Sequence, residues 1–181
     1  AMSSVRELFR GAGLDPEGSV RWGESIQVDE PGVYVVALAD VAGEARAVDR
    51  PPISLERVIE LLTARPELTL DGSRPTASAL RTRLCAFWAP AEPALYIGLA
   101  GTSLRRRVDS YYATPLGARA PHAGGWPLKT LHCLAETRVF YARCGDPNAA
   151  EAAMLRTFAD RMTQEARCNL HDPIHVMPFA N

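Results

Sequence analysis

The sequence predicts a mixed α/β (α+β) fold on three observations. Val33-Tyr-Val-Val-Ala-Leu38 is a continuous β-branched and aromatic run. Ala94-Leu-Tyr-Ile-Gly98 is a second short apolar strand, and Thr137-Arg-Val-Phe-Tyr-Ala-Arg143 alternates as a third. Between and after these runs lie segments whose apolar residues recur at helical spacing. The expectation is a small central three-stranded sheet, mixed or antiparallel, flanked by helices.

Taken in order, Ser3 or Ser4 opens a short helix to Arg10 with Val5, Leu8 and Phe9 on its apolar side. Gly11, Gly13, Pro16 and Gly18 then form a loop leading to a strand around Ser25–Val28. Residues 1–31 read as an N-terminal helix and linker. Pro31-Gly32 turns the chain into the run from Val33, whose unbroken apolarity suits a strand buried on both faces. Residues 40–92 behave as an insertion. Its first part is polar and proline-bounded; Ser54 then caps a helix Leu55–Ala64, carrying Leu55, Val58, Ile59 and Leu62. A second helix from Thr76 to Phe87 turns Leu80, Leu84 and Phe87 inward and Arg81 and Arg83 outward. Such a pair is either a helical hairpin covering the sheet or an element resembling helix-turn-helix, with Arg81 and Arg83 facing nucleic acid.

After the strand at Ala94, Thr102 or Ser103 is the N-cap of a helix running to Tyr112. The long Gly- and Pro-rich loop 113–126 carries Arg119 and His122, and unstructured loops of that length are often functional. A short helix is expected over Pro127–Cys133. Asp146-Pro147 is an N-cap with proline at the first helical position, opening a helix to about Met162. The segment 163–181 reads as loop.

At 181 residues, with 47% hydrophobic and 23% charged side chains, the chain suits one globular unit. No apolar run approaches the roughly 20 residues of a membrane span, and no signal peptide is expected. Cys85, Cys133, Cys144 and Cys168 are scattered, with no C-x-x-C pair. They suggest a reducing compartment and a cytoplasmic protein, and neither they nor the four histidines have zinc-ligand spacing. The net charge of −1 conceals an asymmetry. Residues 1–64 carry six basic and eleven acidic groups, residues 65–145 eleven and five, and residues 146–181 three and five. A basic middle resembles a phosphate-binding face, although arginine richness can also reflect genome composition.

Two charges stand on faces that should be apolar. Leu104, Arg107, Val108 and Tyr111 fall in one sector of about 100° on the helical wheel. Arg107 thus either reaches past the core edge to a carboxylate or does chemistry. Glu151 lies on the stripe of Met154, Leu155, Phe158 and Met162. The two are either a structural ion pair or a catalytic pair.

Gly32-Val-Tyr34 and Tyr96-Ile-Gly98 resemble the two name-giving motifs of the GIY-YIG nuclease family. Leu104-Arg-Arg-Arg107 followed by Tyr111 is similar to its L-x-x-R-x-x-x-[YH] helix. Glu151-Ala-Ala-Met-Leu-Arg-Thr-Phe158 resembles its E-x-x-L-I-x-x-F helix, and Pro178-Phe-Ala-Asn181 its closing P-x-x-N. The pieces keep the family's order across residues 32–181. Three features depart from the family's pattern: 62 residues separate Tyr34 from Tyr96, one extra residue lies between Tyr96 and Arg107, and Asn181 follows Glu151 by 30 residues, leaving Asn169 as a competitor.

The resemblance implies a domain at 32–181, with its helical insertion at about 40–92, that hydrolyses phosphodiesters with one divalent ion, Mg²⁺ or Mn²⁺. By the same resemblance Glu151 is the sole protein ligand of that metal, and Tyr34 or Tyr96 deprotonates or orients water. Arg107 stabilises phosphate charge, Tyr111 supports it, and Asn181 binds near the phosphate or braces the site. Arg81, Arg83, Arg105, Arg106, Arg119 and Lys129 are the expected nucleic-acid contacts, with DNA the partner and no membrane. Cutting both strands with one site per chain favours a homodimer or successive nicks. The alternative is a catalytically silent nucleic-acid-binding module, or a subunit of a larger nuclease, with the same fold.

Overall fold

The computed structural model describes residues 4–46, 48 and 50–181. Its elements are α1 (Val5–Gly11), β1 (Gly18–Arg21), β2 (Gly32–Ala37), α2 (Leu55–Ala64), α3 (Ala77–Cys85), β3 (Ala94–Ala100), α4 (Leu104–Ala113), β4 (Arg138–Arg143), α5 (Pro147–Arg161) and α6 (Gln164–Cys168). The four strands form one open sheet in the order β1-β4-β2-β3, every pair antiparallel. The class is mixed α+β, as the pattern of strands and helices predicts.

The sheet has four strands rather than three, because Gly18–Arg21 pairs with β4 from Gly18↔Tyr141 to Arg21↔Arg138. This edge strand has one β-branched residue and begins on glycine, so its local signal is weak; pairing with β4 makes it a strand. The strand expected at Ser25–Val28 is absent. The backbone there caps α4 instead: the Leu104 amide donates to the Glu30 carbonyl at 3.0 Å and the Arg105 amide to Val28 at 2.9 Å.

β2 is central and fully buried, and strand alternation sends its residues to opposite faces. Val33, Val35 and Ala37 join Ile97, Phe140, Met154 and Phe158 against α1 and α5. Tyr34, Val36 and Leu38 face Tyr96, Leu104, Val108 and Tyr111 on the side of α4. The α2–α3 hairpin packs into that second layer through Val58, Leu61, Leu62, Leu80 and Leu84. It therefore covers the sheet, and its buried side chains belong to the same core as Tyr34. Leu55 and Ile59 face outward, 39% and 51% exposed, and Trp88 rather than Phe87 turns inward.

Ser54, Ser103 and Asp146 cap their helices as expected, each accepting a backbone amide of the first turn; Thr76, read as the first residue of a helix to Phe87, is instead the cap of α3, which ends at Cys85. Ser4 precedes α1 without a side-chain cap bond; Ser3 lies outside the described residues. Residues 127–133 form a 3₁₀ turn at Trp126–Thr130, followed by another at Leu134–Glu136. The loop expected over 163–181 contains α6, a five-residue helix with no buried residue and hence no apolar period to read. The four cysteines are free thiols, and among the described residues no helix is long and apolar enough to cross a membrane.

Candidate active site

The register of β2 against β3 builds the centre of the site. Tyr34 pairs with Gly98, and Val36 pairs with Tyr96, so Tyr34 and Tyr96 stand diagonally on one face. Their ring centroids are 5.9 Å apart. A Cβ on Gly98 would lie 2.6 Å from Tyr34 Cζ and 2.8 Å from Tyr96 Cε1. The glycine is the space into which the Tyr34 ring leans. Burial pushes both hydroxyls above the usual tyrosine range, Tyr34 well above, while the adjacent Arg107 guanidinium pulls each back.

Arg107 is exposed at the rim of α4, and only Leu104, Val108 and Tyr111 form the buried stripe of that helix. Glu151 is likewise a flank residue. The buried stripe of α5 is Ala150, Met154 and Phe158: it keeps Met154 and Phe158 of the expected stripe, gains Ala150, and leaves Glu151 and Leu155 at its margin. Partial burial raises the Glu151 carboxyl pKa, and the field of Arg107 lowers it. The charge of Arg107 lowers the Tyr96 hydroxyl's pKa and that of Glu151 raises it, so both lie within electrostatic reach of that tyrosine. Among the described residues neither makes an ion pair within 4.0 Å. Arg107 and Arg106 also border an open cavity of about 410 Å³ with Thr102, Ser103 and Ser110, and no carboxylate lines it.

No family model matches the chain, and no curated protein or solved structure matches it.

His122, which motif spacing did not single out, sits inside the tyrosine cluster. It is 2% exposed, stacks on Tyr111 at 4.3 Å with planes 17° apart, and its Nε2 is 3.2 Å from the Tyr34 hydroxyl. Its Nδ1 is 2.9 Å from the Gly124 carbonyl. A carbonyl only accepts, so Nδ1 carries the proton and Nε2 is left to accept from Tyr34. The one available signal was a lone histidine in a long Gly- and Pro-rich loop. Gly125 ends that loop at φ +68°, and a Cβ there would lie 2.1 Å from the Tyr111 hydroxyl, which donates to the Gly125 carbonyl. Tyr111 is fully buried and supports the histidine rather than facing the rim.

Burial, with Arg107 and Lys129 adding to it, lowers the His122 pKa to about 4. In the unfolded chain a histidine titrates near 6.5. Between these values the unfolded state binds a proton that the folded state refuses. The neutral ring's contribution is thus complete above pH 6.5 and is lost as pH falls toward 4, on the order of 3 kcal/mol. Urea denaturation from pH 7 to 4 should show His122→Gln losing less stability across that window than the native protein.

The remaining expected residues divide. Asn181 is tied to the edge of β3: its Oδ1 accepts the Ile97 amide at 2.9 Å and its Nδ2 donates to the Ile97 carbonyl at 2.7 Å. Asn169 only bonds the Glu165 carbonyl of its own helix. Lys129, expected as a phosphate contact, is 8% exposed. It lies under the Tyr111 ring and donates to the Tyr111 and Thr114 carbonyls at the end of α4. Arg83 is held by Asp71 through two bonds, Arg105 pairs with Asp29 at 3.2 Å, and Arg119 pairs with Glu67 at 3.2 Å. Arg81 and Arg106 are exposed.

Proposed function

We propose that the protein is a metal-dependent DNA endonuclease that hydrolyses phosphodiester bonds, with the GIY-YIG-like arrangement that the motifs imply. One observation carries the reading: Arg107 and Glu151 each act electrostatically on Tyr96, and Arg107 on Tyr34, without being joined in an ion pair. A guanidinium and a carboxylate held for structure alone would close on each other. Held apart, they suit a phosphate on one side and a cation on the other.

A single half-buried carboxylate suits a hard ion such as Mg²⁺ or Mn²⁺ that keeps most of its water. Glu151 would hold it, and the bound ion would neutralise developing phosphate charge. Arg107 offers the phosphate a planar, bidentate partner. Tyr96 and Tyr34 orient the attacking water, their raised pKa values keeping both protonated at neutral pH. The cavity edged by Arg106 and Arg107 supplies the path for the adjoining backbone.

Supercoiled plasmid incubated with the protein should be nicked or linearised with Mg²⁺ or Mn²⁺ and remain intact in EDTA. Binding without cleavage in either metal would move the reading to a silent nucleic-acid-binding module. Arg106→Ala should weaken DNA binding and reduce the slope of log affinity against log salt by about 1. Arg83→Ala, which frees a residue already held by Asp71, should change the slope less.

A further inference from the structure

We infer that a cavity at one end of the sheet, walled by Arg21, Arg46 and Arg138, binds a small phosphomonoester such as a nucleoside monophosphate. The inference stands apart from the nuclease reading and does not depend on it.

The pairing of β1 with β4 sets two of these cations side by side. Arg21 is the direct cross-strand partner of Arg138, at the last position of that ladder. Opposite residues of an antiparallel pair share a face, and like charges placed so repel each other. Arg138 is also the partner of Ala37, which belongs to the layer against α1 and α5. By strand alternation the two arginines therefore project on the face away from Tyr34, Tyr96 and α4. Ser19, two positions before Arg21, steadies Arg138: its hydroxyl accepts from the guanidinium Nε at 3.1 Å. Arg46 arrives from the turn after β2, where its amide donates to the Leu38 carbonyl at 3.1 Å. Positions 21, 46 and 138 are remote in the chain, so charge counts by segment do not bring them together.

Among the described residues none of the three guanidiniums lies within 4.0 Å of a carboxylate. The cavity they border holds about 430 Å³ and also meets Asp40, Val41 and Glu136. Asp40 is committed to its own turn, its Oδ1 accepting the Ala42 and Glu44 amides at 2.9 and 3.0 Å. Glu24 is occupied with the Arg21 backbone amide at 2.9 Å. Three cations against two lining carboxylates leave the cavity net positive, and an anion seated between Arg21 and Arg138 offsets their repulsion.

The size and the charge select the ligand class. The volume falls within the range of small-molecule sites and exceeds what a bare phosphate fills. A phosphomonoester carries close to two negative charges at neutral pH and presents three acceptor oxygens, which guanidiniums meet in bidentate pairs. Phosphates within a nucleic-acid strand carry one charge each and are spread along its axis. Three cations around one cavity suit a terminal phosphate better. Val41, 70% exposed at the cavity wall, gives the remainder of such a ligand an apolar contact.

The test titrates adenosine monophosphate, adenosine and a short DNA duplex into the native protein, Arg21→Gln, Arg46→Gln and Arg107→Ala, by calorimetry in chloride buffer. Arg21 and Arg46 are exposed, so both glutamine variants should fold, which circular dichroism checks. Adenosine monophosphate should bind the native protein with Kd below about 1 mM, and adenosine should not bind. Arg21→Gln and Arg46→Gln should each weaken the nucleotide about tenfold or more, the loss expected for a charge-assisted pair, while Arg107→Ala leaves it unchanged. Absence of saturable nucleotide binding would overturn the inference. Binding lost in Arg107→Ala and kept in the other two variants would also overturn it, by placing the phosphate at the α4 cavity. Duplex binding that depends on Arg21 and Arg46, without nucleotide binding, would overturn it in favour of backbone contacts.

Discussion

Replacing Arg107 by alanine or Glu151 by glutamine should leave a folded protein that no longer cleaves DNA. The expected loss for Arg107→Ala is about 10²–10³-fold in kcat, the range for removing one preorganised charge-stabilising group. Glu151→Gln should cost at least as much, because the amide keeps the shape of the side chain and removes the charge that would attract a cation. Both residues lie on the rims of their helices, outside the buried stripes of Leu104, Val108 and Tyr111 and of Ala150, Met154 and Phe158. Thermal unfolding should therefore change little in either variant, and plasmid cleavage with Mg²⁺ should change greatly. Loss of folding together with activity would mean that the two charges hold the sheet and helices together, and retained cleavage would remove them from the mechanism.

Gly98→Ala should lower both stability and activity. The added methyl would sit 2.6 Å from Tyr34 Cζ and 2.7 Å from its hydroxyl oxygen. Tyr34 is packed from every side, so its ring cannot retreat without disturbing Tyr96 or His122. Overpacking of this kind costs about 1–3 kcal/mol, a fall in Tm of roughly 2–12 °C for a chain of this size. Even the variant that folds should cleave poorly, because the hydroxyl is moved. Gly101→Ala is the control: its added methyl would meet nothing within 4 Å, and neither melting nor cleavage should change. Equal behaviour of the two variants would show that the glycine of β3 is not a packing requirement.

The legible part of the molecule was the part whose signal is local. Helix caps at Ser54, Ser103 and Asp146 are short-range hydrogen bonds, and the run from Val33 declares a buried strand by composition alone. The motifs named Tyr34, Tyr96, Arg107 and Glu151; the fold sets the two tyrosine rings 5.9 Å apart and leaves the two charges within electrostatic reach of Tyr96. What stayed hidden depends on distant partners. β1 is a strand because β4 lies beside it, and His122 reaches Tyr34 only because Thr114, Tyr111 and Gly125 together set the path of its loop. Lys129 misled for a related reason. Charge counts treat every cation as facing water, whereas this one satisfies the carbonyls that end α4. The helical wheel placed Arg107 and Glu151 within apolar stripes, and the real stripes are narrower, leaving both at the margin where a charged ligand can reach them.

The carboxamide of Asn181 has a bearing on assembly. β3 borders the sheet, and the backbone of Ile97 points away from β2 with a donor and an acceptor side by side. Asn181 satisfies both, and the Ala180 amide satisfies the Leu95 carbonyl at 2.8 Å. The segment thus acts as a substitute neighbour, shielding the border beside Tyr96 from recruitment by another extended chain. Two copies of the chain cannot join their sheets across Leu95 and Ile97 without first evicting the carboxamide that holds the Ile97 backbone. An added strand at that border would have to displace Asn181 and Ala180 first.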